Sequence, residues 1–217
     1  MLKKLYLSPF GYVISLFQNL FSIFHKPFMV YGFYNRVQKK FMKYTRISSS
    51  SKIMNKKKFD VNDNVWIGHY SLLDASNGLK IGKNVQTGSH ISIFSHSSHC
   101  SIRLLGDIYL NVDDRIGYIV GEVNIGEYTF IGSGTIIFPN VNIGKGCLIK
   151  AGSVVTKSFP DYALISGNPA IQIGVTTQLD EKYFKEKIVQ ENYFDKEVIE
   201  NWLNLNKIGS NNANTIS

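Results

Sequence analysis

The chain has 217 residues, 44% of them hydrophobic, with 18 Gly and only five Pro, which bounds it to one main domain with a sizeable core and fits a repeat with tight corners, not disorder. A net charge of +8 admits nucleic acid, an anionic membrane surface or an anionic small ligand as partner. The basic residues concentrate before Lys58, as in Lys39-Lys40 and Lys56-Lys57-Lys58, and no nucleic-acid motif accompanies them, so nucleic acid ranks below a membrane surface or plain solvation.

Residues 1–52 form a segment of their own. Lys3 and Lys4 precede an uncharged run from Leu5 to Phe24 in which Val13, Leu16, Phe17, Leu20, Phe21 and Phe24 keep helical spacing. Pro9, Gly11, Gln18 and Asn19 interrupt it, no small-residue cleavage site follows, and it is short for a membrane span. The segment therefore reads as mostly helical and aromatic, with Tyr31, Tyr34 and Phe41 among basic residues. It either packs on the core or a neighbouring subunit, or makes peripheral membrane contact through residues 1–45. Ser48 to Ser51 reads as a polar linker.

Residues 53–174 carry a repeat. Stepping by six from Ile125 lands on Ile131, Ile137, Ile143, Ile149 and Val155. Four residues after the first five stops come Thr129, Thr135, Val141, Cys147 and Ser153. A period of six is neither helical nor a simple strand alternation. It suits a triangular coil of three six-residue sides, each turning one aliphatic and one small residue inward. The class is an all-β solenoid, stabilised by coil stacking on coil. Ile67, Leu73 and Leu79 keep the period, then Ile81, Thr87 and Ile93 restart two residues out of phase, which predicts a bulged corner around Ala75–Gly78. The repeat breaks over residues 94–122, an inserted loop opening with the densest polar chemistry in the chain, FSHSSHCSIRLLGDIY. Residues 175–205 read as two short helices broken near Asn192 and capping the open end of the solenoid, and 206–217 as a disordered polar tail. Cys147 sits on an inward position and reads as a buried thiol. With Cys100 it implies no disulfide framework, which suits a cytoplasmic location.

The six-residue repeat, with the ending KAGSVVTKSFPDYALISGNPA, resembles the hexapeptide-repeat acyltransferases over residues 61–174. The branch it resembles contains galactoside and maltose acetyltransferases and the O-acetyltransferases of capsule, lipopolysaccharide and sialic-acid polysaccharides. The resemblance implies a left-handed parallel β-helix, a homotrimer, acetyl-CoA as co-substrate and a glycan acceptor, with no metal. SHSSHCSIRLLGDIY is similar to the family pattern GHPVHHELRKNGEMY, with His, His, Arg, Gly, an acid and Tyr aligned without a gap.

That alignment puts the family's catalytic histidine on His96 and its second histidine on His99, which takes a structural or substrate-contacting role. Acyl transfer needs a base for the attacking hydroxyl, and His is the side chain suited to it at neutral pH. Asp74 joins the catalytic set as an orienting acceptor for the base, as an acceptor-sugar ligand, or as a corner-capping aspartate. The substrate-binding candidates, Arg103 and Asp107, pair within the loop or meet the acceptor. The resemblance places coenzyme A contacts on Ser133, Gly134, Ala151, Gly152, Thr156 and Lys157, and Lys157 and Lys150 suit the nucleotide phosphates. Phe130 stands where the sugar acetyltransferases often have Trp, and Ile171 and Gln172 replace basic residues after the GNPA ending. Two rival readings remain at this point: a zinc carbonic anhydrase-like enzyme using His90, His96 and His99 between subunits, and a non-catalytic structural solenoid.

Overall fold

Three columns of inward side chains organise the molecule, which a computed structural model describes over residues 8–213. The chain winds through three parallel sheets in a fixed order, A to B to C, and each coil hydrogen-bonds to the next. In sheet A the column is Ile47, Ile67, Thr87, Ile131, Ile149 and Ile165. In sheet B it is Leu73, Ile93, Ile137 and Val155, and in sheet C it is Val61, Ile81, Ile125 and Ile143. All are buried, and the small residues Thr129, Thr135, Val141, Cys147 and Ser153 fill the corners between them. Each column places like side chains about one strand spacing apart, so every coil buries the apolar surface of its neighbour.

Coil length is not constant. Ile47 pairs with Ile67, and Leu73 with Ile93, at spacings of 20 residues. From Ile131 to Ile149 the spacing is 18, the pure hexapeptide value, and from Ile149 to Ile165 it falls to 16. The two extra residues of the early coils sit at the corner between sheets B and C. There the Gly78 amide donates to the Ala75 carbonyl, with Gly78 at φ 103. This is the slip expected near Ala75–Gly78. Glycine at other corners answers a closer constraint. A Cβ on Gly68 would lie 2.2 Å from the Gly88 carbonyl oxygen of the next coil, so no larger residue fits that stack.

Several expectations need correction. The N-terminal segment is helical over Pro9–Phe24, but Met29–Asn35 and Lys40–Ser48 are strands forming an antiparallel hairpin, with Tyr34 opposite Phe41. The second of these strands pairs in parallel with Trp66–Ile67, so the solenoid begins there and not at residue 53. Residues 49–51 form its first corner, where the Ser51 amide donates to the Ser48 carbonyl, and not a linker. Backbone alternation within an exposed hairpin leaves no helical or hexapeptide signature to read.

The inserted loop is ordered. Its neck is an antiparallel pair, His96–Ser97 with Ile119–Val120. A short helix, Ser101–Leu105, and a 3-10 turn, Gly106–Asn111, lie between. At the far end, Ala170–Val175 folds back antiparallel on Ala163–Gly167 and closes sheet A. The C-terminal helices Lys187–Asn192 and Lys196–Ala213 flank the expected break near Asn192. They pack beside the last coils. Phe194 stacks on Tyr128 at 4.5 Å, and the Lys145 ammonium meets Asp195 at 2.6 Å, both on the corner between sheets C and A. Helix continues through Ala213, so the expected disordered tail is helical over residues 207–213. Residues 214–217 and the Lys3–Lys4 flank lie outside the described residues.

Two outcomes follow from this packing. Ile137→Ala is expected to cost about 2–5 kcal/mol in urea unfolding, whereas Ile171→Ala, on the exposed face of the last strand, should stay within about 0.5 kcal/mol. Burial pushes the Cys147 thiol up to about 11. A thiol reagent should therefore label half-exposed Cys100 in the native protein and reach Cys147 only on unfolding, as mass spectrometry of each cysteine would read.

Candidate active site

The corner between sheets B and C gathers the polar chemistry, because the coil register stacks its turns in one line. Asp74 closes Leu72–Asp74, whose partner strand one coil on is Ser92–Ile93. The inserted loop leaves immediately after that strand. One coil further come Phe138 and Pro139, and beyond them Thr156, which follows Val154–Val155.

Asp74 is 1% exposed, and its carboxylate is fully engaged. One oxygen accepts from the Ser76 amide at 2.9 Å, and the other from the Ser95 amide at 3.1 Å and the Ser95 hydroxyl at 2.9 Å. Burial alone raises the carboxyl pKa, but the donors on Ser76 and Ser95 more than offset it and hold the group at about 2. At neutral pH the corner therefore contains a buried anion. His96 Nδ1 lies 2.7 Å from the same Oδ2, a close contact without the alignment of a hydrogen bond. The His96 side chain is 35% exposed, and its ring stacks against Tyr118 at 6.0 Å. The neck pairing of His96 with Val120 fixes the backbone that carries it.

His96, Ser97 and Ser98 line a cleft of about 320 Å³ with Phe94, Phe138 and Pro139. His99 lines a second cleft of about 340 Å³ with Ile119, Asn140 and Thr156, and the two share Phe138 and Pro139. His99 Nδ1 meets the Ser97 hydroxyl at 2.8 Å, and its backbone carbonyl accepts from the Arg103 guanidinium. Arg103 is thus turned toward the loop backbone and not toward Asp107, which is exposed on the 3-10 turn.

The residues expected to hold coenzyme A divide between two corners. Thr156 and Lys157 share the His96 corner, and the Lys157 ammonium lies over the Phe159 ring at 5.7 Å. Ser133, Gly134, Ala151 and Gly152 sit on the A–B corner, across the narrow sheet B, all exposed. Gly134 and Gly152 take φ 72 and 73 there, and a Cβ on Gly152 would meet nothing within 4 Å, so that edge is open to an extended ligand. His90 is on the A–B corner too, stacked on Tyr70 at 5.1 Å. Among the described residues no three His, Cys, Asp or Glu side chains gather as a metal site within the chain.

Sequence reasoning reaches Asp74, His96 and His99 but not Ser95, Ser76, Tyr118, Phe138 or Pro139. The slip to 20-residue coils carries the signal for Ser95, since it sets Asp74 beside the loop root. Tyr118 lies in irregular chain and has no such signal.

Residues 122–157 match the family model described as bacterial transferase hexapeptide, six repeats. Serine acetyltransferase 4 of Arabidopsis thaliana is 30% identical over 135 residues, covering 62% of this chain and 35% of that protein. The chain thus spans about a third of the length of that curated relative. A maltose O-acetyltransferase from Clostridium difficile 630 is similar in structure, with a TM-score of 0.50 and 25% identity over 58% of this chain and 64% of that one. AntD, an N-acyltransferase from Bacillus cereus solved with dTDP and 3-hydroxybutyryl-CoA, is similar in fold. Its TM-score is 0.52 at 21% identity, covering 66% of this chain and 88% of that one. The family model and these neighbours support a hexapeptide-repeat fold, and that likeness implies a left-handed winding of the coils.

The buried anion has a measurable signature. Because the folded Asp74 carboxyl is depressed, its stabilisation is fully present above the ordinary value of 3.8 and is lost as pH falls to about 2. Asp74→Asn is expected to be about 2 kcal/mol less stable than wild type at neutral pH, with the difference closing between pH 4 and 2 in acid-unfolding curves.

Proposed function

We propose that this protein transfers an acetyl group from acetyl-CoA to a sugar hydroxyl of a bacterial surface polysaccharide or its precursor. The observation that carries this reading is the position of His96. One ring nitrogen faces the buried Asp74 carboxylate, while the ring lines a cleft adjoining the one that Thr156 lines.

In this reading the Asp74 charge favours the tautomer with a proton on Nδ1, leaving Nε2 as the base. The acceptor hydroxyl gives its proton to Nε2 as its oxygen attacks the thioester carbonyl. The C–O bond forms, the C–S bond breaks, and the proton on His96 passes to the leaving thiolate to give free coenzyme A. Asp74, at 1% exposure, orients and compensates the imidazolium and has no surface to offer a sugar. The thioester arm runs across sheet B from the Ser133, Gly134, Ala151 and Gly152 edge toward Thr156, and Lys157, on the same corner as Thr156, stands at its thioester end. His99, Arg103 and Asp107 stand on the acceptor side.

A homotrimer completes the site. The loop exposes Ile102, Leu104, Ile108, Leu110 and Ile116, a set of apolar side chains that a neighbouring subunit would cover. A cytoplasmic location suits both the supply of acetyl-CoA and the two free thiols.

His96→Ala is expected to lower kcat by roughly 10²–10⁴-fold while acetyl-CoA binding, followed by calorimetry, stays near wild type. His99→Ala should act more on the acceptor KM than on kcat. Near-full turnover by His96→Ala, with turnover abolished in His99→Ala, would move the base to His99.

A further inference from the structure

The N-terminal helix carries its apolar stripe on the wrong side for a globular protein. Phe10, Val13, Phe17 and Leu20 recur at helical spacing on one face, and Phe10, Phe17, Leu20 and Phe21 are each more than half exposed. Among the described residues no strand or helix makes an extended contact with it. The adjoining hairpin repeats the pattern, with Tyr31, Tyr34, Phe41 and Tyr44 outward. Gly32 permits this surface: a Cβ there would lie 2.3 Å from the tip of the Phe41 ring, so only glycine leaves room for the ring to reach over the strand.

The charge of the same segment is one-sided. Twelve of the 24 Lys and Arg residues precede Asp60, and none of the 16 acidic residues does. The remainder of the chain sets the other twelve cations against all 16 acids. Lys39, Lys40 and Lys43 are exposed around the hairpin aromatics. A shallow groove of about 160 Å³ joins Tyr31, Lys43, Tyr44, Arg46 and Asn64. It places two cations beside two aromatic rings whose polar edges suit a membrane interface.

We infer that helix Pro9–Phe24 and the hairpin that follows form a docking surface for an anionic lipid bilayer, with the helix lying in the interface. Charge complementarity selects this occupant. A second copy of the same face would bring like charge against like charge. Nucleic acid would take the cations but offer no apolar phase for the Phe and Leu stripe, whereas an anionic bilayer supplies both. The helix has 16 residues and so is about 24 Å long, shorter than the roughly 30 Å hydrocarbon core. No helix among the described residues is long and apolar enough to cross a membrane. The geometry therefore supports lying on the surface and not spanning.

This inference stands apart from the catalytic reading, and its test uses no turnover. The full chain is co-sedimented with vesicles of phosphatidylcholine alone and of phosphatidylcholine with one third phosphatidylglycerol. Binding is expected only to the mixed vesicles and should weaken steeply as salt rises. Changing Lys39, Lys40 and Lys43 together to Gln should lower the partition coefficient about 100-fold, at roughly fivefold per cation near the surface. Phe17→Ser with Phe21→Ser should lower it more than about 10-fold with the salt dependence unchanged. Unfolding midpoints equal to wild type would verify that both variants fold. Equal binding to both vesicle types, or no binding to either, overturns the inference. So does a Phe17/Phe21 variant that keeps its vesicle binding but falls apart to a smaller species in sedimentation, because that face would then be a contact between copies.

Discussion

Coil-on-coil register is the constraint from which the rest of the structure follows. In each of the three sheets the strands pair with those of the coil above or below, and the inward side chains join in one contiguous buried core. A corner can vary in length only if the sides beyond it return to the same register. The two extra residues at the B–C corner of the early coils obey this rule, and so does the inserted loop. Both change the corner while Leu79–Ile81 and Val123–Ile125 still pair residue for residue.

The register also gives the three edges of the prism separate tasks. On the C–A edge the C-terminal helices are fastened through Phe194, Asp195 and the Thr176 hydroxyl, which donates to the Gly146 carbonyl at 2.7 Å. The A–B edge is thin and rich in positive-φ residues, among them His90, Gly134 and Gly152. The B–C edge holds the Asp74 anion and the loop histidines. Asp74 and His96 are distant in the sequence, yet one coil brings them together. The cost of burying a carboxylate is met by donors from two different coils, Ser76 beside it and Ser95 above it. A buried charge so compensated is a fixed electrostatic reference for a more exposed imidazole.

Much of this was legible in the sequence because a solenoid writes its geometry as a period. The inward columns, the slip near Ala75–Gly78 and the root of the loop all appear as agreement with, or departure from, a six-residue step. The hairpin Met29–Asn35 with Lys40–Ser48 was not legible, for a physical reason. Its outer face is aromatic, so the alternation of buried and exposed residues is not one of apolar and polar. The C-terminal segment is helical, but its placement beside the last coils depends on Tyr128 and Tyr162, aromatic residues at corners that meet Phe194. Of the candidate site, the histidines and Asp74 stood out by residue type, while Phe138 and Pro139 look like ordinary members of the repeat. Only the stacking of corners shows that they wall the clefts.

The neck of the inserted loop has one more consequence. The Gly121 amide donates to the Ser95 carbonyl at 3.0 Å, and His96 pairs with Val120, so the excursion leaves and re-enters the solenoid at nearly one point. The scaffold on either side continues as though nothing had been added, since the chain emerging from the neck resumes sheet C in register. The entropic cost of a closed loop grows only slowly with its length. A segment held in this way is a cassette. Its interior can be lengthened, shortened or rewritten by mutation without disturbing the core, while the aspartate and histidine at its foot stay in place. The solenoid thus constrains the two ends of the loop and leaves what lies between them free to vary.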